Sequence, residues 1–118
     1  MGFKQAVSYR IYTLDVHMTT RYVSSLIKSF HDKQSAAIFA GLPARGVGPD
    51  VLKRARMRLA LIDAATTLAF LRSPPGNRLE SLKGDRAGQY AIRVNDQWRI
   101  CFLWRDGDAY DVEYCDYH

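Results

Sequence analysis

Residues 89–116 read QYAIRVNDQWRICFLWRDGDAYDVEYCD, and the spacing of apolar side chains in this stretch decides the fold. Tyr90, Ile92 and Val94, then Trp98, Ile100, Phe102 and Trp104, then Tyr110, Val112 and Tyr114 fall on every second position. That is the period of strands with one covered face. Asn95-Asp96 and Asp106-Gly107 punctuate the runs, so the pattern predicts a three-stranded antiparallel meander. Two-residue turns at both places would set Trp98 opposite Arg93 and Phe102 opposite Asp111, mixing charge with the apolar face. Lengthening each connection by one residue instead pairs Val94 with Trp98, Ile92 with Ile100, Phe102 with Val112 and Ile100 with Tyr114. A slip of one residue turns every side chain to the other face, so the odd register is the predicted one.

The opposite face then carries Ala91, Arg93, Arg99, Cys101, Leu103, Glu113 and Cys115. Arg93 and Arg99 become direct cross-strand neighbours, a like-charge pair that is unfavourable by some tenths of a kcal/mol. Such a pair implies an anion such as phosphate, the preferred reading, or a nearby carboxylate. An Arg99–Glu113 bridge is the plain structural alternative. Cys101 and Cys115 lack zinc spacing and read as reduced, buried thiols of a cytoplasmic protein.

Upstream, Ser73-Pro74-Pro75-Gly76-Asn77 reads as a loop. Before it, Pro49 opens a helix in which Leu52, Ala55, Leu59 and Ile62 form one apolar seam. Lys53, Arg54 and Arg58 point away from that seam and Arg56 flanks it, giving a stripe that is either a solvated face or a surface for RNA or a partner. A shorter helix is expected over 32–40, ending at Gly41 and Pro43, and 26–30 reads as a first strand. Residues 1–25 do not share this patterning; they read as an extension, from an upstream start or from added sequence, with Met18 an alternative start and 26–118 as the domain.

The 118 residues suit one domain with one core. The 17 Lys and Arg against 12 Asp and Glu give a net charge of +5, which favours a polyanionic partner without identifying it. Eight basic and three acidic residues lie in 32–78, against five basic and eight acidic in 79–118, so the middle is the expected docking surface. No apolar run approaches the roughly 20 residues of a membrane span, and no membrane association is expected.

The chain closes on Asp116-Tyr117-His118: a carboxylate, a phenol and an imidazole that can exchange a proton near neutral pH. RNA carries a 2′-hydroxyl able to attack the adjacent phosphorus. Such cleavage needs a proton acceptor, a proton donor and cations on the non-bridging oxygens, with no metal or other cofactor required. His118 suits the proton work, Arg99 and Lys83 the phosphate, Tyr117 stacking or proton donation, and Asp116 the orientation of His118 or a share of the proton work.

Leu82-Lys83-Gly84-Asp85, Gly88-Gln89-Tyr90, residues 95–102, Gly107-Asp108-Ala109-Tyr110 and the closing Asp116-Tyr117-His118 together resemble the HigB toxins of the RelE/ParE superfamily. The resemblance runs from about Ile27 to the end. It implies an α+β, RelE-like fold with two N-terminal helices packed on a mostly antiparallel four-stranded sheet. It also implies a ribosome-dependent endoribonuclease that enters the A site and cuts mRNA there. Lys83, Arg99, Asp116, Tyr117 and His118 match the family's catalytic or substrate-holding positions. The implied partners are a HigA-like helix-turn-helix antitoxin and, through their complex, operator DNA. Glu80 departs from the pattern where some HigB toxins carry a histidine; it is a lesser candidate for the reaction or a salt-bridge residue. The ParE branch, which inhibits DNA gyrase and cuts nothing, is the rival on the same fold, and a binding module that has lost turnover is a third reading.

Overall fold

The computed structural model describes residues 27–73 and 75–116. Helix α1 (Lys33–Phe39) starts where the Asp32 carboxylate accepts a hydrogen bond from the Ser35 amide at 2.8 Å, satisfying one of the first-turn donors. Helix α2 (Pro49–Ala64) has Pro49 at its first turn, where no amide is needed. It buries Ala55, Leu59 and Ile62, with Leu52 half-buried beside them. Thr67 caps a further one-turn helix, α3 (Leu68–Arg72), which the sequence reading did not anticipate. The stretch read as a loop contains a 3-10 turn, Pro75–Asn77. Asn77 is buried and donates to the Leu71 carbonyl at 3.0 Å, so its side chain fastens this turn to α3.

Four strands, β1 (Glu80–Ser81), β2 (Gln89–Arg93), β3 (Trp98–Arg105) and β4 (Asp108–Asp116), form an antiparallel sheet in sequence order. The helices pack on one face, where Ile92, Ile100, Phe102, Val112 and Tyr114 join Ala55, Leu59 and Ile62 in the main core. This is the expected α+β architecture, two main N-terminal helices on a four-stranded antiparallel sheet.

The predicted register is met between β2 and β3, where Ile92 pairs with Ile100 and the Val94 amide bonds to the Trp98 carbonyl. Between β3 and β4 it is met only in part. Ile100 pairs with Tyr114, but Arg105 pairs with Asp108, so the connection is the two-residue turn Asp106-Gly107 and not the longer one expected. Asp106 and Gly107 have φ of 51° and 83°, the left-handed pair that such a turn demands. A bulge reconciles turn and core: between the Cys101–Glu113 and Leu103–Tyr110 pairs, Phe102 faces two residues, Asp111 and Val112. The extra residue turns Ala109 into the core and Tyr110, expected there, to the other side beneath Arg105. Trp98 is half-buried, stacked on Tyr114 with centroids 4.6 Å apart.

The expected first strand is replaced by two isolated parallel bridges to β4, Ile27 to Ala109 and Phe30 to Val112; Leu26 lies outside the described residues. The bulge breaks the ladder, because the Asp111 amide bonds to the Ser29 hydroxyl at 2.9 Å and not to a backbone carbonyl. Ser35 likewise accepts the Tyr114 amide at 2.9 Å, docking α1 on the edge of β4.

Candidate functional site

The face away from the helices is a grid set by strand register. One row across the sheet is Arg93, Arg99 and Cys115; the next is Glu80, Ala91, Cys101 and Glu113. Leu82, Ala91, Cys101 and Cys115 make a small apolar floor between them. The Cys101 and Cys115 thiols are free, buried and hydrogen-bonded at 3.0 Å. That bond, with Arg86 and Arg99 nearby, holds the Cys101 thiol below its usual range. The same bond and burial push Cys115 up.

Arg93 and Arg99 are cross-strand neighbours, as expected. Arg93 is relieved by an ion pair with Asp96, whose side chain is almost fully exposed. Arg99 donates to the carbonyls of Asn95 and Trp98. It does not hold Glu113, which is taken by Arg86 at 3.2 Å. Asp116 sits opposite Trp98 at the end of β4, one register position from the Arg99–Cys115 pair and on the alternate face, and accepts from Gln97 Nε2 at 2.9 Å. Tyr117 and His118 lie outside the described residues.

Lys83 is exposed at the other end of the sheet, just past Leu82, whose amide bonds to the Gln89 carbonyl. Four residues separate Gln89 from Arg93 along β2, about 13 Å, so the backbones of Lys83 and Arg99 are not brought side by side. Glu80 is exposed opposite Ala91, and among the described residues it forms no ion pair.

The helix cations gather differently from a single exposed stripe. Lys53, Arg54 and Arg58 meet Arg93 along an open cleft of about 640 Å³, completed by Asp50, Met57, Gly76, Val94 and Asn95. Arg58 donates to the Arg93 carbonyl at 2.8 Å, which fixes its guanidinium between α2 and the end of β2. Burial, then Arg54 and Arg93, lower its pKa, the signature of crowded cations. Arg56 turns away and donates to the Ile38 and Leu42 carbonyls at 3.3 and 2.9 Å, closing the end of α1. Arg86 is the functional-face residue that the sequence reading missed; its only signal was its place in the turn after Lys83.

His31, Asp32 and Glu113 offer atoms within 4.8 Å of one another. Asp32 is already capping α1 and Glu113 is held by Arg86, so these groups serve the fold.

Compared with known proteins, residues 28–118 match the family model described as the RelE-like toxin of type II toxin-antitoxin system HigB. The chain belongs to the HigB-like toxin family. Among its relatives, Endoribonuclease HigB of Proteus vulgaris is 40% identical over 93 residues, 79% of this chain and 100% of the relative. Toxin HigB-1 of Vibrio cholerae serotype O1 is 45% identical over 71 residues, 59% of this chain and 74% of the relative. As a HigB-like toxin of a type II system the chain has a cognate antitoxin. No helix among its described residues is long and apolar enough to cross a membrane.

Proposed function

We propose that this HigB-like toxin, like its Proteus vulgaris relative an endoribonuclease, cuts mRNA in the A site of the translating ribosome in the cytoplasm. A 2′-oxygen forms a bond to the adjacent phosphorus as the bond to the 5′-oxygen breaks, leaving a cyclic phosphate and a free 5′-hydroxyl. Arg99 and Lys83 hold the phosphate, and His118, oriented by Asp116, moves a proton while Tyr117 stacks or donates one. Lys53, Arg54, Arg58 and Arg93 hold flanking RNA. Glu80 is a lesser participant. The functional unit is 26–118, with 1–25 an extension. The antitoxin is a HigA-like helix-turn-helix protein whose complex with the toxin binds operator DNA.

One observation carries this reading: Arg93 belongs both to the cationic cleft and to the row of Arg99 and Cys115, next to the Trp98–Asp116 pair that ends β4. A polyanion held in the cleft thereby lies beside the Arg99 guanidinium, the group read as holding the scissile phosphate. Electrostatic stabilisation of this kind is usually the largest single contribution to an enzyme's rate. The test is to induce the toxin without its antitoxin and map new 5′ ends on translated transcripts. Cuts that disappear with His118→Gln and Arg99→Ala support the proposal. Growth arrest with DNA damage and intact transcripts would replace it with gyrase inhibition.

A further inference from the structure

We infer that Arg86 is a positioning residue: it clamps the turn that presents Lys83 onto the strand that ends in Asp116. The inference rests on the reading of Lys83 as a phosphate-holding group. Lys83 opens a 3-10 turn, Gly84–Arg86, that follows a strand of only two residues. The backbone bonds nearby are Leu82 to Gln89 at 2.8 Å, Arg86 to Lys83 at 3.2 Å and Ala87 to Gly84 at 3.0 Å. All of them stay within the β1–β2 hairpin, and none reaches β3 or β4. A single turn held this way is free to swing relative to the far side of the sheet.

The Arg86 guanidinium supplies the missing tie. Its Nη1 donates to Gln89 Oε1 at 2.9 Å and to Glu113 Oε1 at 3.2 Å. Glu113 lies on β4 opposite Cys101, so the side chain crosses over β3 to reach it. Beneath it are the Cys101 and Cys115 thiols; burial lowers the Arg86 pKa, but these sulfurs and Glu113 outweigh it and raise the value. The pair is shielded, with side chains 33% and 18% exposed, and therefore loses less to solvent than a surface pair does. Glu113 is itself steadied, its Oε2 standing 3.8 Å from His31 Nε2, while His31 Nδ1 faces Asp111 at 3.3 Å. The chain of contacts runs from the Lys83 turn to the edge where α1 begins. Nη1 alone, with its two hydrogens, meets both acceptors, Gln89 on β2 and Glu113 on β4, and its guanidinium stays charged at every working pH.

The test uses the full chain and a reporter mRNA in a translation extract, with cleavage rates at limiting and saturating transcript. Arg86→Gln is expected to slow the saturated rate about tenfold or more, with KM changed less than about threefold and with the melting curve still above the assay temperature; Arg86→Lys should recover part of the loss. In a Lys83→Ala background, Arg86→Gln should slow cleavage no further than about twofold, because the group being positioned is gone. Losses that multiply in the double variant overturn the clamp, as does an unchanged rate for Arg86→Gln. If Lys83→Ala alone cleaves at the parent rate, the Lys83 reading falls and the clamp with it, which separates that failure from the other two. Should Arg86→Gln melt too low, Glu113→Gln breaks the same charge pair from β4 and must give the same pattern.

Discussion

Asp111 is where the demands of turn and core meet, and substituting it tests the account of the sheet. Its φ is 55°, in the left-handed region that costs an ordinary residue about 1–2 kcal/mol. Asp and Asn bear this better than Ala, and Gly bears it freely. The carboxylate also faces His31 Nδ1 at 3.3 and 3.4 Å, but the side chains are 49% and 38% exposed, so this contact is discounted to a few tenths of a kcal/mol. Asp111→Asn keeps the backbone preference and should cost about that little. Asp111→Gly removes the strain but adds about 0.5–1 kcal/mol of unfolded-chain entropy. Asp111→Ala takes the full penalty and should fall about 1 kcal/mol below the Gly variant, a Tm difference of about 4–8 °C for a domain of this size. Thermal melts by circular dichroism, repeated at 0.15 and 1 M salt to remove the His31 contribution, measure the series. An Ala variant melting at or above the Gly variant would refute the bulge as the device that sets the β4 register.

Arg99→Ala and Lys83→Ala should each reduce mRNA cleavage at least tenfold while leaving the melting curve in place; loss of antitoxin binding in these variants would mark an interface instead. Trp98→Ala should cost about 2 kcal/mol and lower Tm without unfolding the domain, since the ring is half-buried and stacked on Tyr114; a pulse-proteolysis measurement decides it. Burial, then Asp116, raises the Tyr114 pKa above its ordinary value of 10.0. The folded state therefore resists losing this proton: its contribution is intact below pH 10 and is lost as pH rises toward the folded pKa. Alkaline urea titrations should show that loss, and Tyr114→Phe should abolish it. Arg58→Ala removes the 2.8 Å bond to the Arg93 carbonyl, costing about 1 kcal/mol of stability, and should flatten the salt dependence of RNA binding by filter assay.

Period-two spacing made the meander, its core face and the Arg93–Arg99 neighbours legible, and Pro49 with its apolar seam made α2 so. The bulge was hidden because both demands on the register were real: the Asp106-Gly107 turn chemistry called for one pairing and the apolar face for the other, and one inserted residue satisfies both. Helix α3 was missed because five residues carry too little periodicity, its start depending on a Thr67 cap. Charge density identified Lys53, Arg54 and Arg58, but only folding brings Arg93 to them. Arg56 shows the limit of such counting, since its charge is spent on backbone carbonyls. Glu113 was placed on the correct face, yet its partner depends on a side chain reaching across a strand, which spacing does not encode.

The position of β4 between β3 and the segment at Ile27 also governs how the chain acquires its structure. Ile27 meets Ala109 and Phe30 meets Val112, contacts that bridge 82 positions and whose closure entropy must be met before any packing rewards it. The Tyr114–Ser35 bond makes α1 wait on the same event. Assembly is thus expected to be slow for a domain of this length, with α1 docking among the last pieces. A newly synthesised copy accordingly passes through an interval in which residues 27–40 are present but not yet seated.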